Sequence, residues 1–106
     1  MTYIEINGNR YEASITGKVS DKDWDGRASK AIRIHMSYEE ANNLFVDDMD
    51  WFIVQYQGID EASQEEIFDN SEYSIVGDIT NHRDGTVTVK MGKPTAEEIL
   101  AVLIGG

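Results

Sequence analysis

The chain has 106 residues, a hydrophobic content of 41% and no cysteine. This size and composition predict one globular domain over residues 1–106, and they exclude disulfide bonds and cysteine-based metal sites or nucleophiles. The start of the chain has neither a basic stretch nor a long apolar run, so a signal peptide is not expected. No window approaches the roughly 18 apolar residues of a membrane span, so no membrane partner is expected either.

Acidic residues dominate the charge and are concentrated in the middle of the chain. The formal net charge is -11, and residues 34–82 contain twelve Asp or Glu but no Lys or Arg. Such a field repels nucleic acid and anionic membranes, so direct nucleic-acid binding is not expected. The excess charge either keeps a small domain soluble or forms an acidic face for a basic partner. The residues proposed for partner binding on that face are Glu61, Glu65, Glu66 and Asp69.

A β-hairpin is predicted at the beginning of the chain. Residues 3–6 alternate between apolar and polar, and residues 10–19 alternate again after an Asn7-Gly8 dipeptide. Both residues of that dipeptide tolerate positive φ, which favours a tight turn between two strands.

The polar residues 20–30 are predicted to form a loop that contains the pattern Asp21-x-Asp23-x-Asp25-Gly. Three alternating carboxylates followed by glycine begin a calcium loop. The position that should supply a bidentate glutamate is an isoleucine, and basic residues dilute the negative charge. The alternative is a solvated turn in which the Asp side chains cap local backbone donors. A calcium site at Asp21, Asp23 and Asp25 is therefore a hypothesis, and no other cofactor is predicted.

Trp24 lies in the same loop, beside Asp and Arg residues. That composition is usual at contact sites, which makes Trp24 a candidate partner-binding residue. The alternative is a ring that folds back over the end of the sheet.

A strand, a helix and a second strand are predicted in the middle of the chain. Residues 31–36 and 51–56 read as strands, and Ser37-x-x-Glu40 is a capping box that begins a short helix between them. An acidic run over residues 47–50 follows the end of this helix, where negative charge opposes the helix dipole. A metal or a basic partner could offset that charge; the alternative is a hydrated turn.

The second half of the chain predicts another hairpin after a long loop. Residues 57–72 are polar and acidic, and the loop could include a helical turn over residues 63–68. Residues 73–80 and 86–91 are predicted strands, with Asp-Gly supplying the turn between them. The inward-facing residues of the last strand are predicted to be Val87, Val89 and Met91.

The predicted last helix has almost no polar face. Pro94-Thr95-x-x-Glu98 begins it, and large apolar residues then surround its axis. Such a helix either plugs the open end of the sheet or packs against a neighbouring subunit. The second possibility predicts a homo-oligomer, with self-association through Ile99, Leu100, Leu103 and Ile104.

Together these elements predict an α+β fold that is predominantly antiparallel β. About six short strands would form a small, partly open barrel or a curled sheet with two short helices, and the strand-helix-strand unit leaves a mixed sheet possible. We expect no enzyme and no catalytic residue. No serine lies in a nucleophile elbow, and neither His35 nor His82 has metal-ligand spacing to another histidine.

Two stretches resemble a group of short uncharacterised proteins encoded in phages and prophages of Gram-positive, especially clostridial, bacteria. The stretches are DKDWDGRASKAIRIHMSYEEANNLFVDDMDWFIV (residues 21–54) and FDNSEYSIVGDITNHRDGTVTVKMGKPTAEEIL (residues 68–100). Because such proteins are encoded near tail and baseplate genes, the resemblance implies a tail-associated accessory or virion component that acts through protein-protein contacts. It implies a location in the host cytoplasm or the virion, and it transfers no functional residues.

Two alternative functions remain open at this point. A small acidic phage protein could act against host defence as an anti-CRISPR-like mimic of nucleic acid that occupies the positive groove of a nuclease. It could also sequester a small signalling ligand, which would need a locally basic pocket around Arg27, Lys30 and Arg33.

Overall fold

The computed structural model describes residues 2–57 and 64–105, which form one antiparallel sheet with two α-helices. The seven strands of the described chain are β1 (Thr2–Ile6), β2 (Asn9–Asp21), β3 (Arg27–His35), β4 (Phe52–Gln57), β5 (Gln64–Asp69), β6 (Ile75–Asn81) and β7 (Thr86–Gly92). The helices are α1 (Tyr38–Leu44) and α2 (Ala96–Gly105), and a 3-10 turn spans Lys22–Trp24. The predicted β-dominated α+β fold is confirmed.

The strands lie in the order β5-β4-β1-β2-β3-β7-β6, and each neighbouring pair is antiparallel. The two edge strands, β5 and β6, are not paired with each other, so the sheet does not close into a barrel. The possibility of a mixed sheet is wrong. The N-terminal hairpin inserts β1 and β2 between β3 and β4, so the strands that flank α1 are not neighbours.

Both predicted hairpins are present. Asn7 and Gly8 have φ values of 53° and 81° in the turn between β1 and β2, as positive-φ turn chemistry requires. The β6–β7 pair forms the second hairpin, and Val87, Val89 and Met91 are buried as predicted.

The core lies on one face of the sheet, here called the covered face. Ile4, Ile32 and Val89 on three different strands are completely buried there. Ala41 of α1 and Trp51, which immediately precedes β4, pack against them, and the Trp51 ring donates a hydrogen bond to the carbonyl of Tyr73 at 3.0 Å. The opposite side is called the open face.

Two predicted loops are shorter than expected. Residues 64–69 form the edge strand β5, so the predicted loop with a helical turn over residues 63–68 is wrong where it is described; Ser63 lies outside the described residues. β2 and β3 also extend into the loop predicted over residues 20–30, and a register shift between Lys18 and Asp21 accommodates the extra pairing.

The predicted cap of α1 is present, because the Ser37 hydroxyl accepts a hydrogen bond from the backbone N–H of Glu40 at 3.1 Å.

The acidic run that follows α1 has a structural role in the fold. The Asp47 carboxylate accepts a hydrogen bond from the N–H of Val76 at 2.9 Å, and the N–H of Asp48 donates to the carbonyl of Ser74 at 2.8 Å. In the described part of the chain, no helix is long and apolar enough to cross a membrane.

Candidate functional site

The first turn of α2 is fixed by a complete capping box. The backbone N–H of Thr95 donates to the Glu98 carboxylate at 2.8 Å, and the N–H of Glu98 donates to the Thr95 hydroxyl at 3.2 Å. These two bonds satisfy backbone donors that the helix leaves without intrahelical partners. The sequence pattern therefore predicts the start of this helix correctly.

Arg27 joins that first turn to the sheet. Its guanidinium donates to the two carboxylate oxygens of Glu98 at 2.6 and 3.2 Å, and to the carbonyl of Lys93 at 2.8 Å. The Arg27 hydrogen bond, reinforced by the N–H of Thr95, lowers the pKa of Glu98 to about 2. The charged, forked contact thus holds the beginning of α2 against the beginning of β3 at neutral pH.

Trp24 supports Arg27 from the open face of the sheet. The guanidinium carbon of Arg27 lies 5.0 Å from the centre of the indole ring, which is cation–π distance. The ring fits against Gly77 and Gly92 on neighbouring strands: a Cβ atom added there would lie 2.7 and 2.8 Å from ring atoms. Trp24 is therefore a packing residue in this structure, and its predicted role in partner binding stays a prediction.

Beyond its first turn, α2 exposes its apolar side chains. Ile99, Leu100, Val102, Leu103 and Ile104 retain between 51% and 78% of their accessible surface, and we call these five residues the apolar patch. The helix therefore does not plug the end of the sheet, which was one of the two predicted possibilities. The other possibility, self-association through this helix, stays a prediction that the exposure permits.

A groove of about 340 Å³ lies beside the apolar patch. Ile99, Val102 and Leu103 line it from α2, while Ile75 of β6 and Pro94 line it from the body of the protein. Leu100 and Ile104 are one turn apart and extend the apolar surface away from the groove. The exposed side chains of α2 form a ridge beside this groove, and helices pack against one another by placing ridges into grooves.

The predicted calcium loop is occupied by internal contacts. Asp21 is 1% exposed, and its carboxylate contacts the Lys90 ammonium at 2.8 Å and accepts hydrogen bonds from the Ser29 hydroxyl and the N–H of Asp23. The hydrogen bond from Lys90, more than any other cause, lowers the pKa of Asp21. Among the described residues, no three His, Asp or Glu side chains form a group that could hold a metal ion, so the geometry gives the calcium hypothesis no support.

The predicted acidic face is spread over two sides of β5. Because side chains alternate along a strand, Glu65 and Asp69 project to the open face and Glu66 to the covered side. Glu65 is paired with Arg10, and Asp69 accepts a hydrogen bond from the N–H of Ser71 at 2.9 Å. Glu61 lies outside the described residues.

The basic pocket predicted for a small ligand is not assembled. Arg27 is bound to Glu98, Lys30 to the side-chain oxygen of Asn70, and Arg33 to Asp84 at 3.1 Å. Lys30 also alternates to the other face of β3 from the two arginines.

Sequence reasoning misses the Arg27–Glu98 contact and the slot for Trp24, because the residues involved lie far apart in the chain. The available signal is Gly77 inside the predicted strand 73–80, because a glycine within a strand pattern often marks the close approach of another group. No protein-family model, curated protein or solved structure matches this chain. The resemblance to phage proteins therefore stays a prediction.

Proposed function

We propose that this protein is a binding or structural protein that acts through protein-protein contacts, and that a second copy of the chain covers the apolar patch. The observation that supports the proposal is α2 itself, whose first turn is anchored by Arg27 while its five large apolar side chains remain exposed. Contiguous apolar surface on a soluble domain is typical of an interaction site.

The size of the apolar patch is sufficient for association. Fully burying one such side chain contributes about 1.5–3 kcal/mol, so burying the exposed parts of five on each of two copies contributes roughly 10–20 kcal/mol. Association costs about 4–15 kcal/mol in lost freedom. The gain exceeds the cost over most of these ranges, which favours association of two copies.

The distribution of charge favours a second copy over an anionic membrane as the occupant. The acidic residues of α2 are confined to its first turn, at Glu97 and Glu98, and the helix has no basic residue. Uncharged surfaces from two copies can approach without direct repulsion, whereas helices that bind anionic membranes carry Lys and Arg on their polar face.

The setting that we propose is a phage or prophage particle, in which the protein is a tail-associated accessory component. The two stretches that resemble phage proteins support this setting. Mass spectrometry of particles purified from a lysogen that encodes the chain tests it. The protein should co-purify with tail proteins; its presence in the lysate and absence from particles would contradict the proposal.

Self-association is tested by size exclusion with light scattering over a range of concentrations. We expect the wild type to form a dimer or a larger oligomer and Leu103→Gln to be monomeric, because the substitution places a polar amide in the apolar patch. Val19→Gln is the matched control, since Val19 is a 94% exposed apolar residue of β2 that lies outside the patch. A wild type that stays monomeric, or a Leu103→Gln protein that keeps the wild-type mass, would contradict the proposal.

A further inference from the structure

The outer edge of β5 has a regular, unpaired backbone. β5 pairs with β4 from Phe52↔Asp69 to Gln57↔Gln64 without a register shift, and within the described chain no strand lies on its other side. The N–H of Asn70 donates to the carbonyl of Trp51 at 2.9 Å, which fixes the alternation of the pairing. By that alternation, the N–H and C=O groups of Glu65, Ile67 and Asp69 point away from β4.

The other edge strand of the sheet, β6, is protected against the addition of a further strand, unlike β5. β6 has a register shift between Val76 and Ile79, and the Asp47 carboxylate occupies the outward N–H of Val76. Bulges and covering side chains are the means by which proteins prevent strands from adding to a sheet edge. β5 has no bulge, proline or lysine.

The side chains of β5 match an extended segment with basic and apolar residues. The strand contains Glu65, Glu66 and Asp69 and no basic residue, while Ile67 and Phe68 are 53% and 46% exposed on opposite faces. A second copy of β5 is a poor partner for this edge. Antiparallel pairing centred on Ile67 would set Glu65 opposite Asp69, and pairing centred on Glu66 would set Glu66 opposite Glu66. Like charges directly opposite each other on neighbouring strands are destabilising.

We propose that the outer edge of β5 binds an extended, basic peptide segment of another protein by strand addition. The backbone groups of Glu65, Ile67 and Asp69 pair with the peptide, and the Glu66 carboxylate selects lysine or arginine beside it. This surface is distinct from the apolar patch, because α2 lies beside β6 at the other edge of the sheet. It gives the protein a second contact surface, which a component that joins two partners requires.

The test uses a fluorescent peptide of alternating lysine and valine, titrated with the full chain and followed by anisotropy. Its control is the same peptide N-methylated at every residue, which keeps the charge and removes the backbone donors of both peptide edges. We expect N-methylation to weaken binding about tenfold or more, because several inter-strand hydrogen bonds are lost. Equal binding of the two peptides, or binding of neither, would overturn the proposal.

Protein variants locate the site. Ile67→Pro removes an outward N–H without removing a hydrogen bond to β4, so we expect it to weaken peptide binding while circular dichroism shows a folded protein. Glu66→Lys should also weaken binding, and Glu39→Lys in α1, which makes the same charge change away from β5, should leave it closer to the wild-type value. Equal effects of the two charge changes would overturn the proposal. Leu103→Gln should bind the peptide normally, so this test is independent of self-association.

Discussion

The packing of Trp24 against Gly77 can be tested by adding a single methyl group. The Cβ of an alanine at position 77 would lie 2.7, 3.0 and 3.1 Å from three atoms of the Trp24 ring, and these are its three nearest contacts. The ring would have to move away from Arg27, which it contacts at 5.0 Å. The substitution therefore displaces the ring that supports Arg27, and Arg27 in turn holds the first turn of α2 through Glu98.

Two opposing effects set the magnitude for Gly77→Ala. Replacing a strand glycine by alanine stabilises by roughly 0.5–1 kcal/mol, because the unfolded chain loses freedom. Overpacking against the ring costs about 1–3 kcal/mol. We expect a net loss of up to about 2.5 kcal/mol in the wild-type background, and a neutral or stabilising effect in a Trp24→Ala background where the clash is absent.

A double-mutant cycle measured by urea unfolding, followed by circular dichroism, separates these effects. Gly17→Ala in β2 is the control, because a Cβ there meets nothing within 4 Å, and it should not destabilise the protein. A Gly77→Ala substitution that costs the same free energy of unfolding with and without the Trp24 ring would refute the packing argument.

Three further predictions concern charged and capping groups. Because Arg27 lowers the pKa of Glu98 from 4.5 to about 2, the ionised Glu98 stabilises the fold fully above pH 4.5, and this stabilisation is lost as the pH falls toward 2. The thermal unfolding of Glu98→Gln should therefore depend less on pH between 4.5 and 2 than that of the wild type. An unchanged pH dependence would contradict the Arg27 contact. Ser37→Ala should reduce the free energy of unfolding in urea by about 1 kcal/mol, and no loss would mean that the cap does not form in solution. Lys90→Met removes the partner that lowers the pKa of Asp21, so it should destabilise the protein more at neutral pH than at acidic pH where Asp21 is protonated; an equal thermal shift at both would argue against the pair.

The sequence predicts those elements whose local signals agree with their burial. The Asn7-Gly8 turn, the alternation of Val87 and Val89, and the two capping boxes each act within a few residues, so they can be recognised without knowledge of the fold. β5 is not recognisable in this way because all six of its residues are exposed, which removes the alternating pattern of a half-buried strand. Its pairing with β4 defines it, and pairing is a tertiary property.

The anchor of the candidate site is also a tertiary property. Arg27 and Glu98 are 71 positions apart. The sequence identifies Glu98 as a helix cap, but it places Arg27 only in a basic ligand pocket and not beside Glu98. The exposure of Leu103 and Ile104 could not be predicted, because the apolar composition of α2 fits both a plug and a free surface. In the structure α2 follows β7 and lies beside β6, with its apolar side chains exposed.

In the self-association that we propose, α2 of one copy packs against α2 of another. Because the chain has no cysteine, a single Ala101→Cys substitution allows one nitroxide label to be placed on α2. Pulsed electron paramagnetic resonance then measures the distance between the labels of two copies. Packed helices lie about 8–10 Å apart, so we predict a narrow distribution within roughly 20–30 Å that is absent when the label is at Thr16 in β2. No coupling between copies labelled at position 101, at concentrations where the protein is fully soluble, would contradict the claim.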